Sequence, residues 1–201
     1  MLEARSQDAL QEIGNVGAAH AVTALSQLLE HTVMISVPLV SSLAPSQVSG
    51  LCGNPETLMA GVSFHVVGDA SARIVLMLPR SGAIELVDIL LRNPAGSTKV
   101  LNELGNSTVR ETGNIMASAY LNALSDFLAM LLLPSVPNLV FDIAGAILEA
   151  AAEGVERHNG EIIVVANEFS AEGTGIRGHL LLFIDSSSLE NMVSSAEFVV
   201  R

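Results

Sequence analysis

Two pairs of polar side chains, each a glutamate followed three positions later by an asparagine, recur in this chain at an interval of 99 positions. Glu12 and Asn15 form the first pair, and Glu111 and Asn114 form the second. A carboxylate can pair with a cation, and a carboxamide can both donate and accept hydrogen bonds. Apolar core positions drift freely between copies of a repeat, whereas these polar positions keep their identity and spacing. The recurrence therefore predicts a duplicated working surface.

Each pair belongs to a longer motif whose other positions also recur. These further positions are Asp8 and Ser107, Gly14 and Gly113, and Pro38 and Pro137. The tripeptide Ala-Leu-Ser recurs as well, at 24–26 and 123–125. Taken singly, such residues often form a solvated helix face, a helix N-cap or a break before an edge strand. Their joint recurrence at fixed spacing favours function.

Helical geometry predicts which way these side chains point. At about 100° per residue, Asp8, Glu12 and Asn15 lie within an arc of roughly 60°, opposite the apolar positions. Burial of the apolar stripe forces the polar groups outward, and the same holds for the second copy. Gly14 and Gly113 lie inside the helices, where glycine costs about 1 kcal/mol relative to alanine. We therefore expect another backbone or a partner to approach closely at both glycines.

The elements that must position these motifs form two similar halves, about 1–97 and 98–201, of a single domain. Periodicity predicts a long helix at the start of each half, followed by strands and a final helix. The long helices are predicted at about 7–30 and 103–131, and the strands at 33–40, 61–67, 70–78, 139–141, 161–169 and 176–184. This pattern predicts an α/β fold, with a pseudo-twofold duplication whose two homologous halves share a central β-sheet with helices packed on it.

The second half is predicted to be the longer one. Residues 72–79 align with 178–185 at an offset of 106, so we expect about seven additional residues near 142–160. An additional helix is predicted there, with one face formed by Ile143, Ala146, Ile147, Ala150 and Ala151.

Composition argues against several classes of protein. The net charge of −12, a single lysine and 3% aromatic residues disfavour nucleic acid as a partner. No apolar run approaches the roughly 18 residues of a membrane span, and the N-terminus lacks the pattern of a secretion signal. The one cysteine, Cys52, suits a reducing compartment. We expect a globular cytoplasmic protein without membrane insertion.

Other reactive motifs are weak. Residues 173–178 match the dinucleotide-binding pattern Gly-x-Gly-x-x-Gly, but they lead into an apolar strand and open no helix, so a hairpin loop is predicted. The five histidines lack the spacing of metal ligands, and no Gly-x-Ser-x-Gly nucleophile elbow is present. No metal site is predicted.

The full motif, [Asp/Ser]-x3-Glu-x2-Asn-x22-Pro, resembles that of the CheC/CheX/FliY chemotaxis phosphatases. Two copies in a chain of this length are typical of the CheC-like members, and the resemblance covers nearly the whole chain. It implies hydrolysis of the aspartyl phosphate of a CheY-type response regulator, which resets chemotaxis signalling. The regulator would supply both the phosphoaspartate and its Mg²⁺, so no cofactor of the chain's own is expected.

The resemblance also implies a role for each residue of the motif. Asn15 and Asn114 would orient the attacking water, and Glu12 and Glu111 would pair with a lysine of the regulator. The remaining motif residues would support the helix, and these are Asp8, Gly14, Pro38, Ser107, Gly113 and Pro137. Thr112 replaces Ile13 at a position that faces inward, so this difference is expected to affect packing.

The resemblance further implies the receptor deamidase CheD as a partner, with Asp142 and the helix that follows it in the contact. A helix-capping role for Asp142 is the structural alternative. The alternative to catalysis is a non-catalytic adaptor that binds a response regulator, CheD or a flagellar switch component. An asparagine is present in both motifs, which favours the phosphatase.

Overall fold

The computed structural model describes residues 3–200 of the chain. The first half contains α1 (Ala4–Leu29), β1 (Val33–Ile35), β2 (Leu39–Leu43), a 3₁₀ helix (Pro45–Gly50), β3 (Leu58–Gly68), β4 (Ala72–Pro79) and α2 (Arg80–Leu90). The second half contains α3 (Glu103–Leu128), β5 (Leu132–Pro134), β6 (Asn138–Ile143), α4 (Ala144–Ala152), β7 (Ile162–Ala171), β8 (Arg177–Ile184) and α5 (Ser186–Val200). The order of elements is the same in both halves, with α4 in the place of the 3₁₀ helix. The predicted long helices and strand hairpins are confirmed.

Within the described residues, eight strands form one antiparallel sheet. The central path runs β7-β8-β4-β3, so each half contributes one hairpin to the middle. β1 and β2 of the first half pair with β7 of the second half, whereas β5 and β6 of the second half pair with β3 of the first. The α/β fold with a shared sheet is therefore confirmed, and the halves exchange their first two strands.

The strand register locates the symmetry of the duplication. In the β4–β8 ladder, Val75 faces Leu181, and these two residues are counterparts at the offset of 106. The flanking pairs are arranged symmetrically about this one, with Ile74 facing Leu182 and Leu76 facing Leu180. A local twofold axis therefore passes between Val75 and Leu181, at the centre of the sheet.

The same registers correct the predicted position of the additional residues. Val62 faces Leu76 in the first hairpin, and the counterpart pair in the second hairpin is Val165 and Leu182. β3 and β7 thus correspond at an offset of 103, so three of the seven additional residues lie in the β7–β8 loop and not near 142–160. That loop is a wider turn, in which Gly173 has a φ of 73°. The prediction of a hairpin loop at 173–178 is confirmed.

Helices cover both faces of the sheet. One core packs α1, α2, α3 and α5 against one face, and a smaller core packs α4 and the 3₁₀ helix against the other. α1 and α3 approach closely where the ring of Tyr120 lies over Gly17, and a Cβ atom at Gly17 would lie 2.6 Å from the ring atom Cζ. No helix within residues 3–200 has both the length and the apolar character required to cross a bilayer.

The ends of the two long helices are built alike. Glu30 and Ala129 end α1 and α3 with left-handed φ angles of 57° and 51°. The backbone N–H of Val33 donates to Ser26 Oγ at 3.0 Å, and that of Leu132 donates to Ser125 Oγ at 3.1 Å. These serines of the recurring Ala-Leu-Ser tripeptide therefore hold a helix end to the following strand. Their recurrence has a structural cause, so recurrence of a polar residue alone does not indicate a working surface.

The predicted face of the additional helix is wrong in part. Ile143 ends β6 and α4 begins at Ala144. Ile147 and Ala151 are buried as predicted, but Ala150 is exposed. The strand extends further than the apolar pattern indicated because its pairing with β3 continues as far as Ile143, opposite Leu58.

Candidate active site

The two motif helices present their polar residues to solvent. In α1, Leu10 and Ile13 are fully buried, whereas Asn15 is exposed and Glu12 is half-buried. In α3, Glu111 is exposed and Asn114 is half-buried. Both pairs therefore point away from the core, as the helical geometry predicts.

The polar side chains of the motifs make no polar contact within the part of the chain that the structure describes. Glu12, Asn15, Glu111 and Asn114 form no side-chain hydrogen bond or ion pair with any described residue. Each pair is therefore available to a partner. A cation of the partner could pair with the carboxylate, and the carboxamide could both donate hydrogen bonds to the partner and accept them from it.

Asp8 and Ser107 are exposed, and neither is a helix cap. The N-cap residues of α1 and α3 are Glu3 and Asn102, and the Asn102 side chain accepts a hydrogen bond from the backbone of Gly105 at 2.9 Å. Asp8 and Ser107 also make no side-chain hydrogen bond to a described residue. They lie one turn before Glu12 and Glu111, on the same exposed face.

Both motif glycines face the sheet. A Cβ atom at Gly14 would lie 2.6 Å from Val165 Cγ1 and 2.8 Å from Pro38 Cβ, and one at Gly113 would lie 2.8 Å from Val62 Cγ1. The expected close approach is confirmed, but it is made by side chains of the protein's own sheet and not by a backbone or a partner. The glycines let each motif helix lie directly on β7 or β3.

The two motif prolines differ in burial. Pro38 is buried against Gly14, immediately before β2. Pro137 is half-buried, immediately before β6. Pro38 thus contacts the helix that carries the first pair.

The threonine of the second motif is a packing residue, as predicted. Thr112 is only 2% exposed, and its hydroxyl donates to the carbonyl of Thr108 at 2.9 Å. Thr112 therefore faces the interior, away from the exposed pair.

Asp142 lies in strand β6 and is exposed. Its carboxylate accepts a hydrogen bond from the adjacent backbone N–H of Ile143 at 2.8 Å, and Ile143 is the N-cap of α4, without a side-chain cap. The helix-capping alternative is therefore wrong. Asp142 lines two clefts, one of about 250 Å³ beside α4 and one of about 340 Å³ beside the start of α3.

Two reactive side chains outside the motifs, Cys52 and His179, have pKa values that burial shifts. Burial raises the pKa of Cys52 to about 12, with a smaller contribution from the charge of Glu168, so its thiol is protonated at neutral pH. Burial lowers the pKa of His179, and Glu168 opposes this effect. Within the described residues, no three His, Cys, Asp or Glu side chains meet as metal ligands.

The fold and the site define a class of protein with two matched helices on one shared sheet, each presenting a glutamate and an asparagine that are free to meet a partner. The CheC-like family model matches residues 6–42 and 104–141, which hold the two motifs. The chain is thus similar to the CheC-like family over both motifs.

One relative and two solved structures define the similarity further. The CheY-P phosphatase CheC of Bacillus subtilis (strain 168) is 27% identical over 195 residues, which are 95% of this chain and 93% of the relative. The crystal structure of Thermotoga maritima FliY matches with a TM-score of 0.74 and 19% identity over 98% of both chains. A chain of the CheX-CheY-BeF3-Mg+2 complex from Borrelia burgdorferi matches with a TM-score of 0.56 and 16% identity, over 87% of this chain and 97% of the other. These structural similarities show the fold.

Proposed function

We propose that this chain is a phosphatase that hydrolyses the aspartyl phosphate of a CheY-type response regulator, with one active site on each motif helix. The observation that carries this proposal is the presence of two Glu/Asn pairs that point to solvent and have no partner among the described residues. A relative named as a CheY-P phosphatase aligns over 95% of the chain, which supports the same reaction.

Asn15 and Asn114 orient the attacking water in this proposal. The amide oxygen accepts a hydrogen bond from the water and the amide nitrogen donates to an oxygen of the phosphoryl group. The water then attacks phosphorus in line, the bond between phosphorus and the aspartate oxygen breaks, and inorganic phosphate and the free aspartate result. Positioning supplies most of the catalysis in such reactions, so no nucleophile of the chain is required.

Glu12 and Glu111 contribute docking and charge. Each lies one turn from its asparagine on an exposed helix face, where a carboxylate can pair with a lysine at the regulator's active site. The phosphorylated regulator supplies the Mg²⁺ that neutralises the phosphoryl oxygens. We propose no cofactor of the chain's own.

We propose that Asp142 and α4 form a binding surface for CheD. Asp142 is exposed, and its carboxylate bonds only to the neighbouring backbone among the described residues. The adjoining cleft of about 250 Å³ offers a concave surface between α4 and the sheet. Asp142 also lines the cleft of about 340 Å³ beside the start of α3, so CheD bound here would adjoin the second Glu/Asn pair.

The proposal is tested by phosphate release from a phosphorylated CheY-type regulator. We expect Asn15→Ala and Asn114→Ala each to retain part of the activity, and the double variant to lose about 100-fold or more, as when an oriented hydrogen-bonding group is removed from an active site. Asn122→Ala is the matched control, because Asn122 is an exposed asparagine on α3 outside the motif.

Two outcomes would contradict the proposal. Hydrolysis at the wild-type rate by the double variant would show that the asparagines have other roles. Binding of the phosphorylated regulator without any acceleration of phosphate release would instead favour the non-catalytic adaptor.

A further inference from the structure

The surroundings of the two motifs differ at counterpart positions. Beside the second motif, Leu58, Val100 and Phe141 line the cleft of about 340 Å³ and are 54%, 71% and 43% exposed. We name these three residues the apolar shelf. Half-buried Leu101 lines the same cleft, and Leu104 is exposed on the first turn of α3.

The first motif has polar residues at the counterparts of two shelf residues, Leu58 and Phe141. By the strand registers, Leu58 corresponds to Glu161 and Phe141 to Ser42. Ser42 donates a hydrogen bond to the carboxylate of Glu161. These groups already satisfy each other, so a partner that covered them would gain little and would have to desolvate them.

A third pair of counterparts shows the same difference. Leu104 corresponds to Arg5, which forms an ion pair with Glu197 of α5. An exposed ion pair of this kind contributes little to stability, but it keeps the surface polar. At these three counterpart positions the first site is polar and internally paired, whereas the second site is apolar and exposed.

The apolar shelf lies within reach of any protein bound at the second Glu/Asn pair. Asn106 lines the cleft and precedes Asn114 by eight residues, which is about 12 Å along the helix axis. A stable interface covers about 800 Å² on each partner, which is a patch roughly 30 Å across. A regulator whose phosphoryl group reaches Asn114 can therefore extend over the shelf as well.

The cleft also has polar groups at its margin. The side-chain oxygen of Asn106 is buried and has no hydrogen-bond partner within residues 3–200. A buried acceptor of this kind is normally satisfied, by protein or by water. Arg80 and Asp142 also line the cleft, so the shelf has a polar margin that can fix the orientation of a partner.

We propose that the apolar shelf is a docking surface for the phosphorylated regulator, and that it makes the second site the tighter of the two. This inference depends on the proposed function. The occupant is the regulator itself, which places an apolar side chain on Leu58 and Phe141. Apolar side chains that become buried in an interface contribute to affinity, whereas polar groups that stay exposed contribute little.

The test compares single-site proteins. The Asn15→Ala variant retains only the second site, and in this background Phe141→Ser and Leu58→Ser each introduce a small polar side chain into the shelf. We expect the KM for the phosphorylated regulator to rise about tenfold with kcat unchanged, as expected when binding is lost equally in ground and transition states. Leu131→Ser is the matched control, because Leu131 is 56% exposed and lies beyond the far end of α3. It should leave KM at the value of its parent.

The outcomes separate this inference from the proposed function. An unchanged KM in both shelf variants overturns the inference, as does an equal rise in the Asn114→Ala background, where the first site remains. If no protein in the series releases phosphate, the proposed function fails. In that case, the Kd of the same variants for a regulator carrying beryllofluoride tests the shelf. Wild-type affinity in the shelf variants would show that the shelf is not a docking surface.

Discussion

The helices of the two motifs, α1 and α3, have the same length and the same exposed polar pattern, but they differ in their interiors and at their rims. Both contain 26 residues and end in a left-handed residue. At the contact between them, the first half supplies Gly17 and Ala21 where the second half supplies Met116 and Tyr120. The comparison shows that the halves share the exposed Glu/Asn pair and the residues that hold its helix in place. The large side chains at the contact between the helices, in contrast, come from the second half alone.

The largest expected effect concerns one of these large side chains. Tyr120 is fully buried over Gly17, so Tyr120→Ala should lower the free energy of unfolding by about 3–5 kcal/mol, because a large cavity replaces the ring. Tyr120→Phe keeps the ring and should lose much less. Denaturant unfolding measures both, and equal losses in the two variants would show that the hydroxyl and not the ring matters.

The motif glycines should give the next largest effect. Gly14→Ala and Gly113→Ala each place a methyl group against the sheet and should destabilise the protein by about 1–3 kcal/mol, despite the higher helix propensity of alanine. The loss should be larger at Gly14, which meets both Val165 and Pro38. Combining Gly113→Ala with Val62→Ala should cost less than the sum of the two single changes. Stability equal to wild type in both glycine variants would contradict the close approach.

The recurring serines should give smaller and equal effects. Ser26→Ala and Ser125→Ala each remove one hydrogen bond to a strand N–H, which should cost about 1 kcal/mol of unfolding free energy. Ser46 is exposed and supplies the control Ser46→Ala, for which no loss is expected. A marked inequality between Ser26 and Ser125 would show that the two helix ends are not equivalent.

The smallest effect is expected where the motifs differ inside the helix. Thr112→Val removes a hydroxyl that bonds only to a backbone carbonyl of its own helix, so the free energy of unfolding should change by less than about 1 kcal/mol. Phosphate release in the Asn15→Ala background should not change. A large loss of that activity would mean that the inward residue controls the exposed pair.

Much of the candidate site could be predicted from the sequence. An amphipathic helix has a simple period, so the outward direction of Glu12 and Asn15 followed from the apolar residues opposite them. The hairpins were also predictable, because apolar runs separated by glycine-rich turns mark neighbouring strands. The local sequence pattern is sufficient to predict an element whose conformation depends on residues that are close together along the chain.

The remainder depends on contacts between distant residues. The exchange of β1, β2, β5 and β6 between the halves could not be predicted, because strands of three to six residues carry no signal for their partner. Recurrence showed that Gly14 needs a close neighbour, but only the fold shows that this neighbour is Val165. The polarity of the two rims likewise became visible only when the registers defined which residues are counterparts.

The exchange of strands has a consequence for how the chain acquires its structure. β1 and β2 emerge from the ribosome more than a hundred residues ahead of β7, the strand with which they pair. Closing such long loops costs entropy before any contact repays it, so this topology favours slow and cooperative folding. An isolated N-terminal half would hold two strands without their ladder and would leave the edge of β3 uncovered. Fragments cut between the halves should therefore recover their structure only when the two are mixed, because each supplies strands that complete the sheet of the other.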